Sequence, residues 1–282
     1  MKKLAVLFSA FLLTLSLAGC GDQSSTNQTE NHTEVAGKVT LDGSTSMEKL
    51  VKGLSEAITE DYPQLTLEAQ FTGSGTGIKS AIAGKVDIAD ASRALKDEEK
   101  AEGLVENIVA IDGIAIIVDN GNTVTDLTKQ QLTDIYTGKI KNWKEVGGQD
   151  QNIVVIGREE GSGTRDGFES ILDIEGVCNY ANTLNETGSV VAKVQKTPGA
   201  IGYVSLDIVQ NNDAVKTVSL EGITPNADTI VSGAYILQRP FVMGTMGPIE
   251  EQREQVQAVF KFLDSDHGKV VIEKVGLVAP SK

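Results

Sequence analysis

The sequence is poor in cysteine and histidine, with only two of each among its 282 residues. Two cysteines cannot form a disulfide framework. No cluster of His and Cys has the spacing of metal ligands, so we predict no metal and no cofactor. The histidines are His32 and His267, and a Ser-His-acid set would therefore depend on His267 alone. Hydrolytic catalysis is a weak interpretation on these grounds.

Positive charge is also scarce. Lysine and arginine total 25 against 39 acidic residues, which gives a formal net charge of -14. Nucleic acids need a basic footprint, so a nucleic-acid partner is excluded. A small anion is not excluded, because a buried site depends on local dipoles rather than on net charge. The acidic balance predicts a soluble, monomeric domain.

No apolar run is long enough to span a bilayer comfortably. The run from Leu4 to Leu17 follows two lysines and predicts a signal peptide over residues 1–19. It ends in Leu17-Ala18-Gly19-Cys20, which resembles the bacterial lipobox and implies a lipid on Cys20. The alternative is an ordinary secretory signal. Residues 20–37 are polar and predict a flexible tether, which would hold the protein at the extracellular face of the membrane.

After residue 37, short β-branched runs alternate with amphipathic helical patterns, which predicts an α/β architecture with mainly parallel sheets. The predicted strands are Lys38–Leu41, Leu65–Phe71, Val86–Ala89, Ile108–Val118, Ile153–Ile156 and Ala200–Val204. The apolar stretches Ile108–Val118 and Tyr235–Met243 are longer than one strand needs, so we predict that they cross between two lobes. Lobe 1 would comprise residues 38–112 and 237–282, and lobe 2 residues 113–236.

Three turns rich in Gly, Ser and Thr precede predicted helices. They are Asp42-Gly43-Ser44-Thr45-Ser46, Gly73-Ser74-Gly75-Thr76-Gly77 and Gly161-Ser162-Gly163-Thr164. Each turn leaves free N–H groups at the positive end of a helix dipole, with hydroxyls beside them, so the three together suit a tetrahedral anion. Helix capping is the alternative for each turn, and Thr45 with Glu48 fits a capping box. Arg158 precedes the third turn and could bind an anion with two N–H groups. No GxxxxGK[ST] motif occurs, so nucleotide binding is weakly supported.

Four ordered stretches resemble the phosphate-binding proteins of the bacterial phosphate ABC importer, the PstS family in its Gram-positive branch. They are Gly73-Ser74-Gly75-Thr76-Gly77-Ile78-Lys79, Tyr136-Thr137-Gly138-Lys139-Ile140-Lys141-Asn142-Trp143, Arg158-Glu159-Glu160-Gly161-Ser162-Gly163-Thr164 and Thr197-Pro198-Gly199-Ala200-Ile201-Gly202-Tyr203. The resemblance implies a type II periplasmic-binding-protein fold, with two crossover strands and phosphate held in the cleft between the lobes. It also implies delivery of phosphate to an ABC permease and ATPase complex in the membrane, without catalysis.

The same resemblance implies a set of site residues. The implied phosphate ligands are Ser44, Thr45, Ser74, Ser92, Arg93, Arg158, Ser162, Gly163 and Thr164. Glu160 would orient Arg158, and Asp42 would support the ligand residues without contacting the anion itself. The family's better-known pattern has an aspartate where this chain has Ser92, so the group that rejects sulfate is left open, with Asp42 and Asp166 as candidates by position.

Three other functions stay open at this stage. The first keeps the fold and binds another oxyanion, such as sulfate or molybdate. The second is a secreted phosphatase or esterase with Ser162 or Ser74 as its nucleophile. The third is a surface adhesion or signalling lipoprotein that has kept the fold.

Overall fold

The computed structural model describes residues 35–280. The predicted signal peptide, Cys20 and most of the tether lie outside these residues. Val35 is only 6% exposed and packs in a hydrophobic core, and the first strand begins at Gly37. The last three residues of the predicted tether therefore belong to the folded part. Within residues 35–280, no helix is both long enough and apolar enough to cross a membrane.

Strands and helices alternate along the described chain, as expected for an α/β fold. The strands are β1 (Gly37–Gly43), β2 (Leu65–Gln70), β3 (Ile88–Ala91), β4 (Leu104–Val105), β5 (Ile108–Val118), β6 (Asp126–Leu127), β7 (Val154–Arg158), β8 (Asn182–Leu184), β9 (Ala200–Ser205), β10 (Lys216–Leu220) and β11 (Gln238–Met246). The α-helices are α1 (Glu48–Asp61), α2 (Ser74–Ile82), α3 (Asp97–Ala101), α4 (Lys129–Tyr136), α5 (Gly163–Leu172), α6 (Thr187–Lys196), α7 (Leu206–Val209), α8 (Ala227–Val231), α9 (Glu254–Asp264) and α10 (Asp266–Lys274). Short 3₁₀ turns span Trp143–Val146 and Ile249–Glu251.

The periodicity that predicted α1 is also what packs it. Leu50, Val51, Leu54 and Ile58 recur at three- and four-residue intervals and are all buried. They therefore form one apolar stripe, and the opposite face carries charged residues. All six predicted strands are present, with ends shifted by no more than two residues.

The described residues pack around two main groups of cores. The first joins β1, β2, α1, α9 and α10, with a smaller core between α2 and β3. The second joins α4, α5, β9 and β10 on one side of a sheet and α6, α7 and β5 on the other. We call these parts lobe 1 and lobe 2. The predicted division at residues 112/113 and 236/237 stays a prediction.

Two strands connect the lobes. In β5, Val109 and Ala110 belong to the core of lobe 1, whereas Ile114 and Ile116 belong to lobe 2. In the second connection, Leu237 packs in lobe 2, and β11 then enters the lobe 1 core. The strands pair antiparallel to each other, within the order β2-β1-β3-β11-β5-β9-β7-β8. The predicted crossovers are confirmed.

The sheet is less parallel than predicted. Strand pairs within each lobe, such as β1 with β2 and β7 with β9, are parallel. By contrast, β5 and β11 run antiparallel to their main neighbours β9 and β3. The crossovers also pair antiparallel to each other, because the chain enters lobe 2 in β5 and returns to lobe 1 in β11.

Candidate functional site

Four helix N-termini meet between the lobes. In lobe 1, α1 follows the Ser44–Ser46 turn and α2 starts at Ser74, and in lobe 2, α5 starts at Gly163 and α6 at Thr187. Three hydrogen bonds between hydroxyls cross from one lobe to the other, one of them between Ser46 Oγ and Thr187 Oγ1 at 3.3 Å. Ser46 Oγ lies 2.8 Å from Thr164 Oγ1, and Thr45 Oγ1 lies 2.9 Å from Thr187 Oγ1. The positive ends of four helix dipoles therefore point toward one region.

The hydroxyls at this junction are almost completely buried. Each of the following side chains is at most 5% exposed: Ser44, Thr45, Ser46, Ser74, Ser92, Ser162, Thr164 and Thr187. Burying polar groups is costly unless they find hydrogen-bond partners. Such a concentration of hydroxyls at one place is what a polar ligand would use.

Capping does not explain most of these hydroxyls. Neither α1 nor α2 has a side-chain cap, and Glu48 pairs with Lys52 rather than completing a box with Thr45. Ser162 does cap α5, where its hydroxyl accepts a hydrogen bond from Arg165 N at 3.4 Å. The capping alternative is therefore correct for the third turn and wrong for the first two.

Gly163 allows a close approach of the lobes. A Cβ at this position would overlap Ser74 Oγ and would lie 2.7 Å from Ser92 Oγ, both in lobe 1. Ser92 Oγ in turn lies 2.8 Å from Ser44 Oγ and 3.4 Å from Ser74 Oγ. Only glycine fits here without moving the lobes apart.

Arg158 is the most deeply buried cation of the junction, at 2% exposure. It ends β7, and its Nη1 donates to Thr187 Oγ1 at 3.2 Å. Its Nε and Nη2 donate to Glu159 at 3.1 Å each, and Nη2 also donates to Asn185 O. The guanidinium is thus held rigidly, with Nη1 turned toward the hydroxyls.

The expected role of Glu160 is wrong. Glu160 is exposed, and the carboxylate that pairs with Arg158 belongs to Glu159. Because Glu159 directly follows the strand, its side chain lies beside the guanidinium, whereas the chain has already turned toward solvent at Glu160.

Arg93 is placed differently from Arg158. It donates to both oxygens of Glu99, at 2.7 and 2.8 Å, and to Ala94 O. Its Nε donates to Asp166 Oδ2 at 2.9 Å. Four of its five N–H groups therefore have protein partners, which leaves at most one for an anion.

Of the two aspartates proposed as the group that rejects sulfate, Asp42 has both oxygens engaged, whereas the contacts of Asp166 involve only Oδ2. Asp42 accepts hydrogen bonds from Thr72 Oγ1 at 2.6 Å and from Ser80 Oγ at 3.1 Å. Its carboxylate therefore links β1 to α2 and to the residues just before it. Asp166 is engaged by Arg93. A third carboxyl, Asp90, is completely buried, and burial together with the charge of Asp42 raises its pKa well above the ordinary value.

Sequence reasoning missed several residues of the site. Ser46 was seen in the first turn but not assigned, and Thr187 was not considered. The stretch Glu186-Thr187-Gly188-Ser189 has the same composition as the other turns and could have revealed it. The buried ion pair of Arg239 with Asp112, at 2.8 Å on the crossover strands, was also missed.

The ion pair between Arg239 and Asp112 holds part of the site in place. Arg239 Nη1 donates to Ser92 O at 3.0 Å, so the crossover β11 fixes the backbone that carries a predicted ligand. Nearby, Asp207 is buried, and its two carboxylate oxygens have no hydrogen-bond partner among residues 35–280. Burial, and then the charge of Asp112, raise the pKa of Asp207 to about 7.

The junction as a whole suits a small anion. Each arginine is offset by a carboxylate, so hydroxyls, backbone N–H groups and helix dipoles supply most of the attraction. Oxyanions are commonly held in this way at helix N-termini. The structure brings together Ser44, Thr45, Ser74, Ser92, Arg158, Ser162, Gly163 and Thr164, and their contact with an anion stays a prediction.

Comparison with known proteins identifies related chains. Residues 28–267 match the family model described as a PBP superfamily domain. The phosphate-binding protein PstS of Bacillus subtilis is 33% identical, over 82% of this chain and 79% of its own length. The Staphylococcus aureus protein of the same name is 32% identical, over 95% of this chain and 86% of its own length.

Comparison with solved structures also identifies proteins described as parts of phosphate transport systems. A phosphate ABC transporter substrate-binding protein from Clostridium perfringens, with bound phosphate, is 36% identical with a TM-score of 0.81. It is matched over its whole length and covers 87% of this chain. An ABC-type phosphate transport receptor from Vibrio cholerae is 34% identical with a TM-score of 0.71, over 86% of this chain and 100% of its own.

Proposed function

The chain belongs to the PstS family of phosphate-binding proteins within the PBP superfamily, and from this premise we propose that it captures inorganic phosphate for an ABC transporter. The observation that carries the proposal is the meeting of four helix N-termini between the lobes, with hydroxyls bonded across the gap at 2.8 and 2.9 Å. Separating the lobes would expose these groups, and closing them would surround an anion. This is the hinge motion expected of a two-lobe binding protein.

The proposed ligands come from both lobes. Ser44, Thr45, Ser74 and Ser92 would contribute from lobe 1. Arg158, with the N–H groups of Gly163 and Thr164, would contribute from lobe 2. We add the hydroxyls of Ser46 and Thr187 to this set, because they make the contacts between the lobes. Ser162 caps α5 by accepting from Arg165 N, and its O–H group would donate to the anion.

The chain of hydroxyls from Ser44 through Ser92 to Ser74 bears on ligand choice. A hydroxyl can both donate and accept, so this chain can reorient to accept the proton that phosphate retains at neutral pH. The same hydroxyls can donate to sulfate, which has no proton. We therefore propose that phosphate is preferred over sulfate by a smaller factor than a carboxylate at position 92 would give.

Binding without catalysis is part of the proposal. His267 pairs with Asp61 at 3.0 Å, at the C-terminal end of α1. The hydroxyls of the site lie at the other end of this 14-residue helix, about 20 Å away. His267 is the only histidine among residues 35–280, so no histidine in this part of the chain can activate Ser74 or Ser162 as a nucleophile. Attachment to the extracellular face of the membrane through a lipid on Cys20 is likewise proposed.

Isothermal titration of the purified mature protein, freed of bound anion, tests the function. Phosphate, sulfate, molybdate and arsenate are titrated in separate runs. Micromolar or tighter phosphate binding, with weaker sulfate binding, is the expected result. Tight sulfate or molybdate binding without phosphate binding would overturn the ligand while keeping the fold.

A further inference from the structure

Arg93 lies two residues after β3, at the lip of the junction between the lobes, and its side chain is 9% exposed. Glu99, in α3 of the same lobe, receives two of its N–H groups, and Ala94 O receives a third. These three contacts connect only residues 93–99. They therefore hold the guanidinium in one position on lobe 1 whether or not the lobes are closed.

The contact with Asp166 is different because it joins the lobes. Asp166 lies in the first turn of α5, and its Oδ2 accepts from Arg93 Nε at 2.9 Å. Lys96 Nζ, also in lobe 1, lies 3.6 Å from the same oxygen. Separating α5 from lobe 1 would break both contacts and leave the contacts within lobe 1 intact.

The surroundings of Arg93 oppose a direct role in anion binding. Two carboxylates lie within 3 Å of its guanidinium, and together with Lys96 beside Asp166 they make the cluster neutral rather than positive. Burial would lower the pKa of Arg93, but the hydrogen bonds and charges of Glu99 and Asp166 raise it above its ordinary value. The cation is thus stabilised by protein carboxylates, and at most one of its N–H groups is free to donate to an anion. Arg158 faces one carboxylate and points toward the hydroxyls instead.

We propose that Arg93 is a positioning residue that clasps lobe 1 to lobe 2 through Asp166. The clasp sets phosphate affinity through the lifetime of the closed state and not through contact with the anion. The proposal rests on the proposed function and departs from the role that the family resemblance implies for Arg93. The ion pair exists only while the lobes are closed, with or without phosphate, so the clasp should slow phosphate release and also favour closure of the anion-free protein.

Salt should weaken the clasp. Asp166 remains 27% exposed, and a cavity of about 460 Å³ borders Arg93, Lys96 and Asp166. Ions can therefore reach the pair, and partly exposed pairs are screened at high ionic strength. Dissociation of phosphate should accelerate with salt in the wild type and respond less in a variant without the clasp.

The test is a double-mutant cycle of Asp166→Asn and Arg93→Met, read as the dissociation rate of radiolabelled phosphate chased by unlabelled phosphate. Each single variant should release phosphate about 5–20 times faster, with the association rate changed less than about twofold. The double variant should release phosphate no faster than Asp166→Asn, because that variant already removes the contacts of Asp166 with both Arg93 and Lys96. Asp150→Asn is the matched control, since it removes the same charge from an exposed ion pair with Lys144 that lies within lobe 2.

A ligand role for Arg93 would give a different pattern. Arg93→Met would then lose about 100-fold or more in affinity, while Asp166→Asn would change little or bind more tightly. That outcome would overturn the clasp.

A second measurement does not depend on phosphate. Small-angle scattering of the anion-free protein should give a larger radius of gyration for Asp166→Asn than for Asp150→Asn. Equal radii together with equal release rates would also overturn the clasp. If the wild type fails to bind phosphate, the proposed function fails, and the scattering comparison still decides whether the clasp closes the lobes.

Discussion

Replacing Arg158 with methionine tests the cation that lies closest to the proposed anion site. The guanidinium is 2% exposed, and Nη1 donates one hydrogen bond to Thr187. The second N–H of Nη1 has no partner among residues 35–280, whereas Nε and Nη2 are engaged by Glu159, Leu184 O and Asn185 O. Methionine keeps much of the volume and removes the charge and this free donor.

The expected loss can be estimated from the charge. One unit charge about 4 Å from an anion contributes about 4 kcal/mol at an effective dielectric constant of about 20. Glu159 offsets part of this attraction, and the lost charge-assisted hydrogen bond adds about 1.5–3 kcal/mol. A net loss of about 4 kcal/mol corresponds to a phosphate dissociation constant raised about 1,000-fold.

Titration calorimetry with phosphate measures the loss, and Lys79→Ala serves as the control. Lys79 is an exposed residue of α2, shortly after the turn that starts at Gly73. Replacing it with alanine should therefore change the dissociation constant less than about twofold. Thermal unfolding without phosphate checks that both variants fold. Equal losses for Arg158→Met and Lys79→Ala would refute the placement of the site.

Three further changes test other parts of the site. Gly163→Ala should lower phosphate affinity about 100-fold or more without lowering the melting temperature of the anion-free protein, because the added methyl group overlaps hydroxyls of the other lobe. Gly167→Ala in the same helix, where a Cβ has room, should bind normally, and equal binding by both variants would contradict the closed geometry. Glu159→Gln should weaken phosphate binding about 5–50-fold while Glu160→Gln changes it less than about twofold, and the reverse order in titrations would restore the original assignment. Burial raises the pKa of Asp207 to about 7, so the folded state binds more protons than the unfolded state, and stability should fall as pH rises from about 4 to about 7. Asp207→Asn should remove roughly 2–4 kcal/mol of this pH dependence in urea titrations, and an unchanged slope would show that Asp207 ionises normally.

Much of the architecture could be predicted because it depends on local patterns. The stripe of Leu50, Leu54 and Ile58 predicted α1, and the length of the Ile108–Val118 run predicted a strand shared by two cores. The mixed direction of the sheet could not be predicted, because it depends on which strands become neighbours. The composition of single segments carries no such information.

Within the site, local chemistry identified the turns but not the partners of their side chains. Glu159 and Glu160 are equivalent in sequence, and only the direction of the chain after β7 decides which one meets Arg158. Thr187 lies 142 residues after Thr45, and nothing in either segment indicates their contact. The fourth helix start was therefore missed although its composition was visible.

By itself, the sequence determined the alternation of strands and helices, the two crossovers, three of the four helix starts and the family resemblance. These features follow from periodicity and turn chemistry over a few residues. Only the tertiary structure decided which arginine faces the hydroxyls and which one joins the lobes. Arg158 ends a strand and Arg93 follows one by two residues, but their partners Thr187 and Asp166 come from helices distant in the sequence. The role of a charged side chain depends on the charges that surround it, and long-range packing alone brings those charges together.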